Sequence, residues 1–388
     1  MKTWAVLGLA LLFGSGLVGV PSPAAAELKV GVSGYVKLDI QYSDKIIGGG
    51  FPSPSPAGTP LDTNAEADNG QTLLDARQTR FRIDARDEVA GVKISSRIEA
   101  DFFTGDGNAV VSNSRHLRLR HAFMRGDHPS GFFILAGQTW TLFMNIDSAQ
   151  PNTVDFNGPA GQIFARQPQL RVGYRAPMGP MGDLLLEASV EKHSLGNLGS
   201  DAVNESQGEG QDLPAFIGKV SWLSKLIKAE AAAAVAKNTV ILAGGDDEDD
   251  TGFGFQVSAE IDLSPVTLFG HYQFLDGLGR LAQADFGTQV VLVGNQLESV
   301  ESNGFYVGAS LALTKDTSVN AAYGWNKLDE FEAGGITLET HQSIVVNILH
   351  KFWQRWQVGI EYRRFDVEAF NGTEGDANIV HGALWFFF

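Results

Sequence analysis

The feature that most constrains the fold of this chain is a strict alternation of apolar and polar side chains. In KVGVSGYVKLDIQYS (29–43), Val30, Val32 and Val36 fall on one face and Lys37 falls on the other. Successive side chains of a β-strand point to opposite faces, so a period of two predicts strands that separate two different environments. The content of 45 glycines and 25 phenylalanines suits strands and turns better than a helical bundle.

Sixteen segments of the chain carry this pattern. They lie near residues 29–43, 77–87, 91–104, 115–127, 131–138, 166–176, 182–193, 213–222, 225–238, 252–262, 265–277, 303–313, 316–327, 339–351, 355–366 and 376–388. The spacers between them alternate in length, giving seven tight turns and eight longer loops. This asymmetry is typical of an all-β, antiparallel, up-and-down barrel that spans the outer membrane, with turns in the periplasm and loops outside.

Other all-β architectures fit this pattern less well. A soluble propeller repeats a blade motif every 40 to 50 residues or so, and the chain contains no such repeat. A lipocalin-type barrel has only about eight strands. One segment, KAEAAAAVAKN (228–238), has high intrinsic helix propensity. A lone helix there would break the alternation of turns and loops, so the sequence still predicts a strand.

The first 26 residues predict a cleavable secretory signal rather than part of the barrel. A positive start at Lys2 precedes an apolar stretch, and small residues precede a cleavage position near Ala26–Glu27. The alternative is a retained membrane anchor, which the shortness of the apolar run disfavours. Residues 27–388 then form the transmembrane barrel, in the outer membrane of a Gram-negative-type bacterium.

The chain ends on the aromatic strand IVHGALWFFF. Outer-membrane barrels commonly end on such a strand, and the barrel-assembly machinery reads the final aromatic residue, here Phe388. The alternative is an ordinary buried edge strand, but a soluble fold has little reason to end on three phenylalanines.

Composition and motifs exclude several classes of function. The absence of cysteine removes disulfides, Cys-ligated zinc and thiol nucleophiles. The formal net charge of -16 argues against nucleic acid as the main partner. The sequence contains neither HExxH spacing nor a G-x-S-x-G elbow, and it predicts no enzyme, no metal site and no cofactor.

Two short motifs resemble binding sites but lack the context that such sites need. GGDDEDD (244–250) falls in a predicted outer loop, and its adjacent acids favour a solvated loop over a divalent-cation site or a cation-bridged contact with lipopolysaccharide. GLGRLA (277–282) loosely fits a dinucleotide fingerprint, but no strand–helix unit surrounds it.

Arginines dominate the polar faces of the strands between residues 77 and 175, which contain thirteen Lys and Arg against nine Asp and Glu. An arginine facing lipid near mid-membrane would cost about 2–4 kcal/mol, so these side chains are expected to line a water-filled lumen. The residues predicted to line the pore and bind anions are Arg80, Arg82, Arg86, Arg97, Arg118, Arg120, Arg166, Arg171 and Arg175. The alternative is that these arginines pair with Asp84, Glu99, Asp101 and loop acids, and only stiffen the wall.

Several short motifs occur in an order that resembles the DcaP-like family of trimeric outer-membrane porins. They are EADFF, LRHAF, GQTWTLFMN, DFNGP and RQPQLR, all between residues 77 and 175. The resemblance implies a homotrimer that passes small anionic solutes, dicarboxylates among them. Members of that family often carry a periplasmic helical extension before the barrel. The first strand here starts close to the predicted cleavage position, so we expect this extension to be missing.

The long segment 139–165 follows the fifth predicted strand. In general porins the loop at this place folds into the barrel and forms the constriction. The residues predicted to build it are Gln138, Trp140, Asp147, Asp155, Gly158 and Pro159. Loops longer than about 12–15 residues are usually functional or disordered, and Phe143, Met144 and Ile146 argue against disorder. A long surface loop is the alternative.

The sequence therefore predicts a passive diffusion channel for small hydrophilic anions. An inward loop excludes large solutes, and arginines select by charge. Its expected surroundings are outer-membrane lipid and lipopolysaccharide. Two alternatives stay open, a structural or adhesion barrel with a plugged lumen and a barrel hydrolase whose scattered residues converge at the rim.

Overall fold

The structure is a computed structural model. It describes residues 28–48, 53–104, 107–108, 112–195, 211, 213–241, 247–282, 289–293, 296–329 and 338–388. The predicted signal, residues 1–26, lies outside the described residues.

Sixteen long strands within the described residues correspond one to one to the sixteen predicted segments. They are β1 (Lys29–Ser43), β2 (Arg80–Val89), β3 (Val92–Asp101), β4 (Arg118–Asp127), β5 (Phe132–Trp140), β6 (Arg166–Pro177), β7 (Asp183–Glu191), β8 (Ala215–Leu223), β9 (Ile227–Ile241), β10 (Asp247–Asp262), β11 (Val266–Asp276), β12 (Glu301–Ala312), β13 (Thr317–Leu328), β14 (Leu338–Phe352), β15 (Trp356–Ala369) and β16 (Glu374–Phe387).

These strands form one closed antiparallel barrel, as the sequence predicts. Each strand pairs with its neighbours in chain order. β1 also pairs with β16, from Tyr35↔Phe387 to Ser43↔Ile379. Closure leaves no unpaired sheet edge, which is the condition for a sheet to cross a bilayer. We call the end with the tight turns the short-turn rim and the opposite end the long-loop rim.

The second strand of the barrel wall is interrupted. A short strand, Gln71–Asp75, pairs with the second half of β1 before β2 pairs with the first half. Between them, the Thr79 hydroxyl accepts a hydrogen bond from the Lys37 backbone N–H at 3.1 Å. The predicted strand 77–87 therefore begins at Arg80, and the end of the predicted loop 44–76 belongs to the wall.

The two faces of the strands meet different surroundings. On β1, Val32 is 65% exposed and Ile40 is 47% exposed, whereas Lys37 and Asp39 are each 1% exposed. The outer face is thus hydrocarbon and the inner face is polar, as in barrels that contact lipid outside and water inside. No helix among the described residues is both long enough and apolar enough to span a membrane.

Residues 141–165, which we call the inward loop, fold from the end of β5 into the barrel. The main buried apolar cluster lies where this loop meets the inner face of β8, β9 and β11. On the loop side the cluster contains Leu142, Phe143, Met144 and Ile163, all at most 3% exposed. The loop thus supplies part of an apolar core inside the barrel.

The alanine-rich segment explains how the wall accommodates this core. It forms β9, as predicted against its helix propensity, and pairs along its length with β8 and β10. Ala232, Ala234 and Ala236 point into the lumen and pack in the apolar cluster. Small side chains leave room for the inward loop, and tertiary context overrides the intrinsic preference for helix.

Two predicted outer loops contain regular structure. The loop after β11 includes a 3-10 turn at Gly279–Leu281 and a hairpin formed by Val290–Val293 and Gln296–Ser299. In the acidic motif, residues 247–250 begin β10 rather than lie in a loop, and residues 244–246 lie outside the described part of the chain.

Candidate functional site

A cluster of arginines covers the inner face of β2–β4 and the start of β6. We call Arg80, Arg82, Arg118, Arg120 and Arg166 the arginine cluster. β3 pairs with β4 at Asp101↔Arg118 and Ala100↔Leu119, and the register then shifts so that Glu99 pairs with His121. Arg120 is the extra residue of this bulge, and Arg120 and its neighbour His121 are both buried, because a bulge re-aims the side chains of the strand that carries the extra residue.

Two carboxylates serve most of the arginine cluster. Arg120 Nε lies 2.8 Å from Glu99 Oε1, and Arg118 Nη2 lies 2.8 Å from Asp101 Oδ2. Arg80 Nε and Arg82 Nε are farther from Glu99, at 3.6 and 3.8 Å. Charge-assisted hydrogen bonds are shorter than this, about 2.7–2.9 Å, so Arg80 and Arg82 are only loosely neutralised.

Arg166 differs from the other members of the cluster. Its guanidinium carbon lies 4.6 Å from the ring centroid of Trp140 and 5.7 Å from that of Phe164. Its Nη1 is buried and forms no hydrogen bond, and the ion pairs among the described residues do not include it. Aromatic rings attract a cation through their faces, so the side chain is positioned without being neutralised.

The arginine cluster therefore carries an excess of positive charge. Among the described residues, four guanidiniums share the carboxylates of Glu99 and Asp101, and the fifth, that of Arg166, has no ion pair. The alternative considered from the sequence, that these arginines pair with Glu99 and Asp101, describes Arg118 and Arg120. It does not hold for Arg166.

A cavity of about 360 Å³ separates the arginine cluster from the inward loop. The wall contributes Arg80, Arg120 and Trp140, and the loop contributes mostly uncharged side chains. The loop residues that line it are Met144, Ile146, Gln150, Pro151, Thr153, Phe156, Gly158, Gln162 and Phe164. The lining is thus cationic on one side and neutral on the other.

The acids of the inward loop do not face this cavity. Asp155 accepts hydrogen bonds from Ser53 Oγ at 2.7 Å and from Gln78 Nε2 at 3.0 Å. Asp147 lies 3.7 Å from the Lys219 ammonium, on the far side of the loop. Neither residue lines the cavity, so the loop adds no carboxylate opposite the arginine cluster.

Polar groups of the opposite wall hold the inward loop across the barrel. Glu361 accepts a hydrogen bond from the Val154 backbone N–H at 2.7 Å, and Arg363 Nη2 donates to the Asn157 carbonyl at 2.6 Å. Arg363 and Glu361 also pair with each other at 2.6 Å, and both are fully buried. Ionic hydrogen bonds in a buried setting fix the loop position strongly.

Close backbone contact fixes the return of the inward loop. Gly161 has a φ of +77°, and a Cβ there would meet the Phe305 backbone at 2.7 Å. A Cβ on Gly324 of β13 would lie 2.2 Å from the Ala160 carbonyl oxygen. Only glycine fits such contacts, so the loop and the wall touch backbone to backbone. Gly158 and Pro159 lie in this stretch, as the predicted loop requires.

The other predicted arginines lie outside the cluster. Arg97 pairs with Asp84 at 2.7 Å, Arg171 with Glu187 at 3.5 Å and Arg175 with Asp183 at 3.0 Å. Arg86 is exposed and pairs through its backbone with Ser95, next to the short-turn rim. Arg171 also donates to the Trp140 carbonyl at 2.8 Å and so supports the start of the inward loop.

Two residues predicted to build the loop belong to β5 instead. Trp140 ends that strand, and its ring still lines the cavity. Gln138 lies within the strand and points its amide at the carbonyls of Leu119 and Arg120, both at 3.4 Å. β4 pairs with β5 only from Ala122 to Asp127, so both carbonyls lie beyond the last paired residue, and Gln138 serves the wall and not the cavity.

Sequence reasoning missed the aromatic lining and the loop anchors. Phe103 and Phe156 meet edge to face at 4.6 Å, and the guanidinium of Arg118 lies over both rings. Glu361 and Arg363 are far from the loop in sequence, and no local pattern marks them. Among the described residues, no group of three or more His, Asp or Glu is arranged to hold a metal ion.

A closed barrel with a hydrocarbon exterior, a polar lumen and a loop folded across it is a porin-type membrane channel. The sequence profile of Gram-negative porins matches residues 14–369, and this chain belongs to that family. It is accordingly an outer-membrane channel.

Solved structures of other porins share the fold. The outer membrane channel DcaP of Acinetobacter baumannii superposes with a TM-score of 0.77 at 23% identity, over 96% of this chain and 100% of that one. An anion-selective porin from Comamonas acidovorans gives 0.58 at 14% identity, over 93% and 100%. The trimer form of in-vitro folded OmpT of Vibrio cholerae gives 0.58 at 11%, over 93% and 99%. No curated protein sequence matches this chain.

Proposed function

We propose that this porin is an anion-selective diffusion channel for small hydrophilic solutes, dicarboxylates among them. The observation that supports the proposal is the charge imbalance beside the inward loop, five guanidiniums against two carboxylates. A unit charge is worth roughly 1 kcal/mol at 4 Å in water and more near protein. Three uncompensated charges then favour anions by about two orders of magnitude, since about 1.4 kcal/mol is tenfold.

The preference for carboxylates follows from the donors that remain. Arg80 and Arg82 are loosely engaged and Arg166 forms no ion pair within the described part of the chain. A guanidinium presents paired N–H donors that match the two oxygens of a carboxylate. A solute with two carboxylates engages two such groups at once. Support also comes from the structurally similar porin of Comamonas acidovorans, which is anion-selective.

The decisive experiment is the reversal potential of purified channels in a planar bilayer across a KCl gradient. We expect the reversal potential to lie close to the Nernst potential of chloride. A potential set by potassium would contradict the proposal.

A plugged structural barrel is the second candidate function. Its support is the number of bonds that tie the inward loop to the opposite wall, Glu361 and Arg363 foremost. The same bilayer experiment separates the two candidates. An open channel conducts, and a plugged barrel gives no steps of current.

We further propose that the chain works as a homotrimer in contact with lipopolysaccharide, and that the assembly machinery reads Phe388. The trimer form of the Vibrio cholerae relative supports the first point. Phe388 stays 43% exposed while its backbone pairs with Gly34, which leaves the ring accessible. Native mass spectrometry of detergent-purified protein tests the trimer, and a Phe388→Ala variant is expected to lower barrel assembly in cells.

A further inference from the structure

The segment GLGRLA (277–282), which loosely resembled a dinucleotide motif, packs against the inward loop. Leu278 and Ala282 are 2% and 4% exposed and join the apolar cluster of the inward loop. The Phe164 backbone N–H donates to the Leu281 carbonyl at 3.0 Å, and Ile163 forms a β-bridge with Ala282. The loop after β11 is therefore fastened to the exit of the inward loop, on the long-loop side.

Arg280 is the one charged side chain of this fastened segment. Its backbone N–H donates to Gln289 Oε1 at 3.3 Å, and its neighbours Gly279 and Ala282 are buried. Its own side chain is exposed. The ion pairs of the described residues do not include Arg280. The fold thus holds the backbone still and leaves the guanidinium in solvent.

The position of Arg280 relative to the arginine cluster follows from shared neighbours. Leu281 contacts Phe164, whose ring lies 5.7 Å from the guanidinium of Arg166. On the other side is His193, which follows β7 at the long-loop rim. Burial lowers the pKa of His193 below its ordinary value, and the charge of Arg280 lowers it further. Arg280 therefore lies on the long-loop side, next to the residue whose carbonyl binds the exit of the inward loop.

We propose that Arg280 is a capture residue on the long-loop side of the channel, which draws anionic solutes toward the arginine cluster. The inference rests on the proposed anion selectivity and adds the side of the channel from which anionic solutes are captured. A positive charge at the entrance raises the local concentration of anions and speeds their entry from that side. It has little effect at the other mouth, because salt screens charges beyond about 8–10 Å.

The test uses the full-length channel in a planar bilayer with succinate as the probe. Succinate is added to one side at a time, and the association rate is read from transient blockades of the current. Channel orientation is assigned with a Thr314→Cys background, because the native chain has no cysteine and Thr314 is exposed at the short-turn rim. Biotin on that thiol, followed by streptavidin on one side, reports which rim faces it.

We expect Arg280→Gln to lower the association rate from the long-loop side about three- to tenfold, the effect of one charge at close range. The rate from the short-turn side is expected to stay within about twofold, since that mouth lies beyond the screening length. The control is Lys315→Gln, which removes the same charge from a side chain 90% exposed on the short-turn rim. It should leave the long-loop rate unchanged.

Two outcomes overturn the inference, and they are distinct from failure of the proposed function. Unchanged association from the long-loop side in Arg280→Gln removes the capture role. An equal drop from both sides would mean that Arg280 acts inside the cavity and not at its entrance. If the wild-type channel prefers potassium, the anion selectivity itself fails, and that result comes from reversal potentials without any variant.

Discussion

Two groups of arginines share the inner face of neighbouring strands, yet their charges end up in different states. Toward the short-turn rim, three arginines each have their own carboxylate: Arg97 with Asp84, Arg125 with Asp127, and Arg175 with Asp183, at 2.7 to 3.0 Å. In the arginine cluster, four of the five guanidiniums share two carboxylates, and Arg166 has no ion pair within the described part of the chain. The number of arginines is therefore a poor guide to selectivity, and the local ratio of arginine to acid is the useful one.

The inward loop adds to this difference. It narrows the lumen beside the arginine cluster with a mostly uncharged surface and keeps its own acids turned away. The paired arginines near the rim have side chains that are 30 to 49% exposed. Confinement between low-dielectric walls strengthens the electrostatic potential of an unbalanced charge, whereas the charges of a balanced pair in open water are screened.

The largest expected effect comes from releasing the inward loop. Arg363→Met removes the donor to Asn157 and leaves Glu361 buried without its cation. Breaking a buried pair in this way costs about 3–5 kcal/mol. We expect higher single-channel conductance, noisier open current and weaker selectivity, because the inward loop no longer confines solutes beside the arginine cluster.

The adjacent residue supplies the control for this variant. Arg364 is 38% exposed on the outer face and pairs with Asp366 at 2.6 Å. Arg364→Gln should leave conductance unchanged. If Arg363→Met conducts like the wild type, other contacts hold the loop and the anchor has been misjudged.

The second largest effect is expected from a variant that removes the charge imbalance itself. In the triple variant Arg80→Gln, Arg82→Gln and Arg118→Gln, two guanidiniums and two carboxylates remain in the cluster, so its excess charge is zero. We expect anion preference to fall about 100-fold, at roughly 1 kcal/mol for each charge. The measurement is the reversal potential in a KCl gradient.

A matched triple variant places the same loss of charge elsewhere. Arg97→Gln, Arg125→Gln and Arg175→Gln change the paired group and leave the cluster intact. This variant should keep the sign of the wild-type reversal potential. Equal shifts in the two triple variants would show that total charge, not position, sets selectivity.

The third largest effect is expected from a change of Arg166, the one cluster arginine without an ion pair among the described residues. Arg166→Gln removes a charge and leaves no buried acid uncompensated. We expect a loss of anion preference of about fivefold, near 1 kcal/mol, with no change in the temperature of heat-induced unfolding on gels. Arg166→Lys should restore most of the preference, and failure to do so would point to packing on Trp140 rather than charge.

The smallest effect is expected from a variant that creates a charge imbalance among the paired arginines. Asp84→Asn frees Arg97, whose side chain is 32% exposed. Because the site is wet, we expect a gain in anion preference of less than about 1 kcal/mol, or roughly fivefold at most. A loss of preference in the reversal potential would contradict the role of the arginine-to-acid ratio.

Much of the barrel was predictable because alternation is a local signal. The period of two in β1 and β2 marks strands and their faces directly. The alanine-rich β9 was predicted instead from the alternation of turns and loops, and it is a strand. The inward position of Arg118 and Arg120 was predicted from the same pattern, although a bulge in β4, which no sequence rule located, brings them to one carboxylate pair.

The site could be predicted only in part, because its partners come from distant strands. Glu361 lies more than 200 residues from the Val154 backbone that it binds. No local pattern showed that Gln138 would bind carbonyls of the neighbouring strand and not belong to the loop. The role of GLGRLA as a fastening for the inward loop likewise depends on Phe164, which is remote in sequence.

The sequence by itself determined that this chain forms a barrel, how many strands cross the membrane, and which side of each strand meets water. Those properties follow from side-chain period and turn length, which are local. Only the tertiary structure decided which arginines keep an uncompensated charge, because that depends on how many carboxylates a fold gathers within a few ångströms of them.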